Sequence, residues 1–326
     1  MDRDEVELTG CVMTMPKVGV SACIVGQEVR FDGGHKRSGF VDGPLKNIFD
    51  MKPLCPEMGM GLGTPRPTIR LREIGESVRL MDDKNHIDHT DAMQAFNERT
   101  LPNLAGLSGY IVCAKSPSCG MERVRVMNEQ QNGARHNGRG LFTAALMEAY
   151  PLLPVEEDGR LNDIPLRENF ITRVFVYHAY QELVASEPGE HQLLAFHRRH
   201  KLLLMAHNQA TYRELGRYIA ISRERPMAER LAYYGERMMH ALAKPASRRN
   251  HTNVLQHIGG YFKRELDTTE RQHLHETILA YHDGQLPLMA PITLLQSLLK
   301  RYPKPYIEEQ HYLQPHPQHL ALRYHL

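Results

Sequence analysis

The sequence has no apolar run approaching the roughly 18 to 20 consecutive residues of a membrane-spanning helix, so a membrane-embedded chain is not expected. Residues 1–10 carry five charges where a signal peptide would carry an apolar segment, and the expected location is the cytoplasm. Cysteine is scarce, with five in 326 residues. An odd number spread thinly over a cytoplasmic chain argues against a disulfide framework and for metal binding or thiol chemistry. Aromatic residues are few, at 7%, but 41% apolar and 24% charged residues exclude disorder and fibrous repeats. The chain is long enough for two cores, and no internal repeat is present.

A strong excess of charge of one sign is also missing, since the formal net charge is +2. That total conceals two unlike halves. Lys plus Arg against Asp plus Glu is 19 − 22 = −3 over residues 1–160 and 21 − 16 = +5 over residues 161–326. All five cysteines fall in the first part, and fifteen of the nineteen histidines in the second. Residues 191–251 hold twelve Lys or Arg against four acidic residues, a local excess of +8 that points to a polyanionic partner.

The first part reads as an α/β domain, a small, open, mostly parallel sheet with flanking helices. Residues 17–25 and 109–114 are the best strands, and each leads toward a cysteine, Cys23 or Cys119. Loops beyond strand ends are where ligands collect in such sheets. Residues 91–101 and 140–150 have helical apolar spacing. Residues 151–162, with Pro151, Pro154, an acidic cluster and Gly159, look like the join. The expected division is an extension over 1–15, an α/β domain over 16–160 and an all-α domain over 161–326. In the latter, Thr211 with Glu214 and Asp267 with Glu270 form capping-box patterns, Pro226 and Pro291 suit first helical turns, and Gly284 suits a helix stop. The tail from residue 302 is rich in proline and histidine.

Three cysteines sit in turn-like contexts: Ser21-Ala22-Cys23, Cys55-Pro56-Glu57 and Ser116-Pro117-Ser118-Cys119-Gly120. Cys113 lies inside an apolar strand pattern, where a buried thiol is ordinary, and Cys11 lies in the extension. The gaps of 31 and 63 residues between the three loop cysteines match neither zinc-finger nor ferredoxin spacing, so spacing alone leaves a metal site open.

The motifs say more than the spacing. Val20-Ser21-Ala22-Cys23-Ile24-Val25-Gly26, Val29-Arg30-Phe31-Asp32-Gly33, Cys55-Pro56-Glu57 with Gly61-Leu62-Gly63-Thr64-Pro65-Arg66, and Lys115-Ser116-Pro117-Ser118-Cys119-Gly120 together resemble the thiouracil desulfurase (TudS) family. The second half, with Arg167-Glu168-Asn169-Phe170, His197-Arg198-Arg199-His200-Lys201 and His207-Asn208, resembles the YbgA-like helical domain. The fused architecture is similar to the tRNA 4-thiouridine desulfidases (RudS). Phe31 departs from the tyrosine of many relatives, and Cys113 adds a thiol near the site.

The resemblance implies a [4Fe-4S] cluster held by Cys23, Cys55 and Cys119, with one open iron that binds the substrate sulfur as a Lewis acid. It implies a non-redox, hydrolytic desulfidase that converts 4-thiouridine in tRNA to uridine and hydrosulfide. Glu57 is the first candidate for the acid/base, against a bland reading as a helix cap or an ion pair with Arg66. Ser116 is a candidate to bind substrate or orient water, against a plain turn serine. Asp32 is a candidate for contact with the base, with turn stabilisation an equal alternative.

Other signals are weaker. Gly59, Gly61 and Gly63 do not make a dinucleotide fingerprint. His86, Asp88, His89 and Asp91 imitate a metal site but read better as a loop before a helix cap. His197, His200 and His207 share a helical face, yet the adjoining arginines would repel a cation. The basic run, interleaved with Tyr212, Tyr218, Tyr233 and Tyr234, supplies phosphate neutralisation and stacking surfaces, with Arg198, Arg199, Lys201, Arg213 and Arg217 as the expected RNA-binding residues. The expected partner is tRNA containing 4-thiouridine. Two rivals remain: a desulfidase of free thiouracil or thiolated nucleosides, and a cluster-containing nucleic-acid-binding redox sensor.

Overall fold

In chain order the first part runs β1 (Glu5–Leu8), β2 (Cys11–Thr14), β3 (Lys17–Ser21), α1 (Gly39–Asp42), β4 (Asp50–Leu54), α2 (Pro56–Gly59), β5 (Ile69–Ile74), β6 (Ser77–Asp82), β7 (Ile87–Asp88), α3 (Thr90–Thr100), β8 (Gly109–Val112), β9 (Val124–Met127), β10 (Ala134–Gly138), α4 (Leu141–Ala149) and β11 (Val155–Glu157). The second part is helical: α5 (Ile164–Ala185), α6 (Glu190–His207), α7 (Gln209–Ile221), α8 (Met227–Leu242), α9 (Arg248–Gly259), α10 (Thr268–His282), α11 (Met289–Arg301) and α12 (Pro305–Glu308). This computed structural model describes residues 5–8, 11–82 and 84–315, and the chain divides into the units Met1–Phe170 and Ile171–Leu326. Among the described residues, no helix is long and apolar enough to cross a membrane.

Every residue of β8 and all of β3 after Lys17 are buried, the mark of strands covered on both faces in a parallel sheet. They lie at its centre. The order is β11-β8-β3-β4, with every neighbouring pair parallel. β4 carries Pro53 and is an edge strand, where a missing backbone N–H is tolerated. Gly19 is required in β3 because a Cβ there would fall 2.3 Å from the ring of Tyr110. The expected α/β unit followed by a helical unit is therefore what forms.

The sequence reading did not anticipate the second sheet. Its order is β10-β9-β5-β6-β7, antiparallel except between β5 and β9. Its central strand alternates buried Ile69 and Leu71 with Arg70 and Arg72, so one face is charged and the apolar signal is weak. The first strand also proved shorter than 17–25, because residues 22–25 tighten into a 3-10 turn ended by Gly26 in the left-handed region. Residues 5–14 pair as the hairpin of β1 and β2.

In the helical unit, the Asp267 and Glu270 box forms with both reciprocal hydrogen bonds, and Gly284 follows the end of α10 at φ +83°. The Thr211 box does not form. Asn208 caps α7 instead, accepting from the backbone N–H groups of Ala210 and Thr211, and Glu214 turns to Tyr233 and Arg237 on α8. Pro226 is the cap residue before α8, and Pro291 lies within the first turns of α11. Of the tail, Ile307, Tyr312 and Leu313 are buried, and residues 316–326 lie outside the described residues.

Candidate active site

Because the four strands of the first sheet run the same way, their C-terminal ends share one edge. Chain segments leaving that edge meet there. Cys23 follows β3, Cys55 follows β4, Cys113 follows β8 and Asp158 follows β11. The Cys119 turn is held against the start of α4. Leu141 N–H donates to the Pro117 carbonyl, Phe142 N–H to the Ser118 carbonyl, and the Thr143 hydroxyl to the Cys119 carbonyl at 2.6 Å. Gly140 makes this approach possible, since a Cβ there would lie 2.5 Å from the Ser118 carbonyl group.

The result is a cavity of about 400 Å³ lined by Cys23, Cys55, Cys113 and Cys119 together with Glu57 and Ser116. Among the described residues, all four of these cysteines are free thiols. Cys113, read from the sequence as a core thiol that also lies near the site, is one of the cavity's lining residues. Ser21 brings it in by accepting the Cys113 backbone N–H at 3.0 Å, which ties the ends of β3 and β8 together. The Cys23 thiol hydrogen-bonds to Cys113. That bond is the main cause holding Cys113 below the ordinary thiol range and Cys23 above it; burial opposes the first shift and adds to the second. Burial pushes Cys55 and Cys119 up. Burial pulls the Lys36 ammonium down, but its 2.9 Å bond to Asp158 and the neighbouring thiols more than offset this and raise it.

Glu57 sits in the first turn of α2 and is engaged on both oxygens. Its Oε2 accepts from Arg66 Nε at 3.1 Å and Nη2 at 2.5 Å, and its Oε1 accepts from the Ser118 hydroxyl at 2.9 Å. The pairing with Arg66 raised from the sequence is thus present, and Ser118 is a partner that the sequence reading missed. A carboxylate offers about four acceptor sites. Three are filled, which leaves one on Oε1. Ser116 Oγ accepts from the backbone N–H groups of Ser118 and Cys119 and shapes that turn, while its own proton is available to a ligand. Asp32 is not among the cavity's lining residues; it accepts from Gly34 N–H at 3.1 Å and lies 3.7 Å from Arg30.

One expectation is corrected here. Among the described residues, no group of three or more His, Cys, Asp or Glu side chains is placed to hold a metal ion. The thiols line one cavity but point to separate partners: Cys23 to Cys113, Cys55 to the Val29 carbonyl at 3.9 Å, and Cys119 toward Ser21. This donor set does not fit the [4Fe-4S] cluster expected on Cys23, Cys55 and Cys119 with one open iron. The iron–sulfur-dependent, non-redox enzyme class falls with it. So does the expected conversion of 4-thiouridine in tRNA to uridine and hydrosulfide at that iron.

The other histidine groupings have local partners. Asp88 accepts from Thr90 N–H, and Asp88 and Asp91 both lie near Arg79. His197 bonds to the Tyr234 hydroxyl, His200 to the Phe196 carbonyl and His207 to the Lys244 carbonyl. In the helical unit, Arg198, Lys201, Arg213 and Arg217 line one groove between α6 and α7. Arg199 is exposed but is not among the groove's lining residues.

Comparison with known proteins accounts for both units. Residues 18–158 match the 2-thiouracil desulfurase family, and residues 201–317 match a family described as a protein of unknown function (DUF1722). The uncharacterized protein YbgA of Escherichia coli (strain K12) is 34% identical over 158 residues, which is 48% of this chain and 94% of YbgA. Among solved structures, a [4Fe-4S]-dependent thiouracil desulfidase TudS is 29% identical, covers 47% of this chain and 97% of its own, and superposes with a TM-score of 0.38. The chain belongs to the YbgA family and carries a thiouracil-desulfurase-like domain ahead of its DUF1722/YbgA-like domain.

Proposed function

We propose that the N-terminal unit is a cytoplasmic desulfurase that takes sulfur from a thiolated pyrimidine base. The observation that carries this reading is one cavity lined by four thiols and by a carboxylate that Arg66 and Ser118 hold with a single open acceptor site. The match to the 2-thiouracil desulfurase family supports the substrate class. Water adding to the carbon that carries the sulfur loses a proton that Glu57 Oε1 would accept, and the C–S bond then breaks with sulfur leaving as hydrosulfide, so the step needs no oxidant or reductant. Arg66 fixes the carboxylate, and the Ser116 hydroxyl is a donor for the ring. Asp32 would act at the rim by holding the turn that carries Arg30 and Phe31, both of which line the cavity.

We further propose that the helical unit docks the RNA that carries the base, with tRNA as the partner and Arg198, Arg199, Lys201, Arg213 and Arg217 as the phosphate contacts. The clustering of four of these cations on one groove supports it. The test is anaerobic incubation of the full chain with thiouracil, a thiolated nucleoside and thiolated tRNA, reading loss of the thiocarbonyl near-UV absorbance and release of sulfide. Sulfur loss that falls about a hundredfold in Glu57→Gln supports the reading. No loss from any of the three overturns it. Equal rates on tRNA and free nucleoside at low and high salt would refute the docking role alone.

A further inference from the structure

The groove between α6 and α7 encloses about 750 Å³, and its charged lining residues are all cationic: Arg198, Lys201, Arg213 and Arg217. His197 also lines it but adds no charge near neutral pH, because burial first and Lys201 second push its pKa down to about 4. Arg213 and Arg217, one turn apart on α7, are exposed on the same face. Tyr212 offers a ring beside them, and at Gly216 no side chain fills the floor. Cations beside an aromatic ring and an open floor match the repeating unit of a single nucleic-acid strand, a phosphate followed by a stacking base.

Residues 305–313 pack against α6, the helix that carries Arg198 and Lys201 into this groove. Gln310 Nε2 donates to the Arg198 carbonyl at 2.8 Å, and His311 N–H donates to the Arg199 carbonyl at 3.1 Å. The His311 ring packs on that of His200 at 4.3 Å, and Lys201 Nζ lies 4.6 Å over the ring of Tyr306. Those contacts hold the segment to α6. The remaining one differs in kind: the Glu309 carboxylate takes both Nε and Nη2 of Arg198, in a pair exposed at 54% and 42% of its side chains. An exposed ion pair is weak and readily exchanged, and phosphate can take the same charge-assisted bonds from the guanidinium that the carboxylate takes here. Glu309 thus occupies Arg198 in the way a phosphate would.

We infer that the α6–α7 groove is a phosphodiester site for an unpaired RNA segment, and that Glu309 holds Arg198 in the free protein and yields it to a backbone phosphate on binding. The inference rests on the docking reading above and specifies its site and its internal competitor. The shared anchor of Gln310 and His311 keeps Glu309 in place while Arg198 changes partner, so the exchange needs one side-chain rotation.

Fluorescence anisotropy of a labelled, unmodified single-stranded RNA oligonucleotide with the full chain at two salt concentrations tests this. Glu309→Gln is expected to bind about threefold tighter than wild type at low salt. That gain should vanish when Arg198→Ala is also present. Arg213→Gln with Arg217→Gln, both exposed, should bind more weakly and lower the salt slope by about two, with an unchanged melting temperature. A wild-type chain that binds no RNA refutes the docking reading. Binding by wild type with no gain in Glu309→Gln refutes the exchange alone, and binding unaffected by the Arg213 and Arg217 changes refutes the groove.

Discussion

Glu57 and Arg66 lock one another in place beside the four thiols. The guanidinium, 5% exposed, gives Nε and Nη2 to one carboxylate oxygen, and Nη2 also donates to the Val29 carbonyl at 2.9 Å while Nη1 donates to that of Gly63. One residue thus joins α2, the segment before β4 and the loop that follows α2. Arg66→Met leaves a mostly buried carboxylate without its charge partner, which should cost about 3 kcal/mol of stability. Arg66→Lys keeps the charge without the fork and should fall between the two. Urea unfolding of the three proteins checks this, and equal midpoints would show that the pair does not hold the site.

A second test concerns the Cys119 turn. Gly140→Ala places a methyl group 2.5 Å from the Ser118 carbonyl, where backbone rather than a flexible side chain has to move. The expected cost is about 1 to 3 kcal/mol, together with displacement of Ser118 from Glu57. The proposed desulfurase activity should fall further than the loss of folded protein explains. Activity that follows the folded fraction alone would contradict this role for the turn.

How much of this was legible beforehand follows from where the signal lies. β3 and β8 were readable because strands buried on both faces are uninterrupted apolar runs, and Asp267 with Glu270 because a capping box is local. Cys113 was readable as a thiol near the site but not as the partner of Cys23. Its meeting with Cys23, 90 residues earlier, depends on the parallel register that pairs Val20 with Ile111. The Thr211 box was misread because Asn208 already accepts the Thr211 N–H, a competition between two good caps that sequence does not rank. The second sheet was missed because its charged face dilutes the alternation of Ile69 and Leu71. The motifs that carry Cys23, Cys55, Cys119, Glu57 and Ser116 come together at one cavity and Asp32 stays outside its lining, whereas the thiol partnerships that set aside the cluster are properties of side-chain placement.

Acid should weaken the helical unit. His197, His207 and His311 are each pushed down to about 4, chiefly by burial, and His200 is also well below its usual range. An unfolded chain would protonate these rings near about 6.5. Between those values the unfolded state binds more protons, so their contribution is complete above the upper one and is lost as pH falls through the window. The melting temperature of the helical signal should drop by several degrees, roughly 4 to 8, between about pH 7 and pH 4.5. His311→Gln should flatten that dependence, and a pH-independent midpoint in the wild type would contradict the assignment.

The central claim is that the thiol-lined cavity with Glu57 removes sulfur from a thiolated pyrimidine. The most direct measurement is a single-turnover reaction of the anaerobically prepared full chain with such a substrate, following thiocarbonyl absorbance and sulfide together in wild type and Glu57→Gln. Stoichiometric loss of absorbance with sulfide release in the wild type, slowed about a hundredfold in a folded Glu57→Gln, is the predicted result. An unchanged spectrum with the wild type, or equal rates in the two proteins, would contradict it.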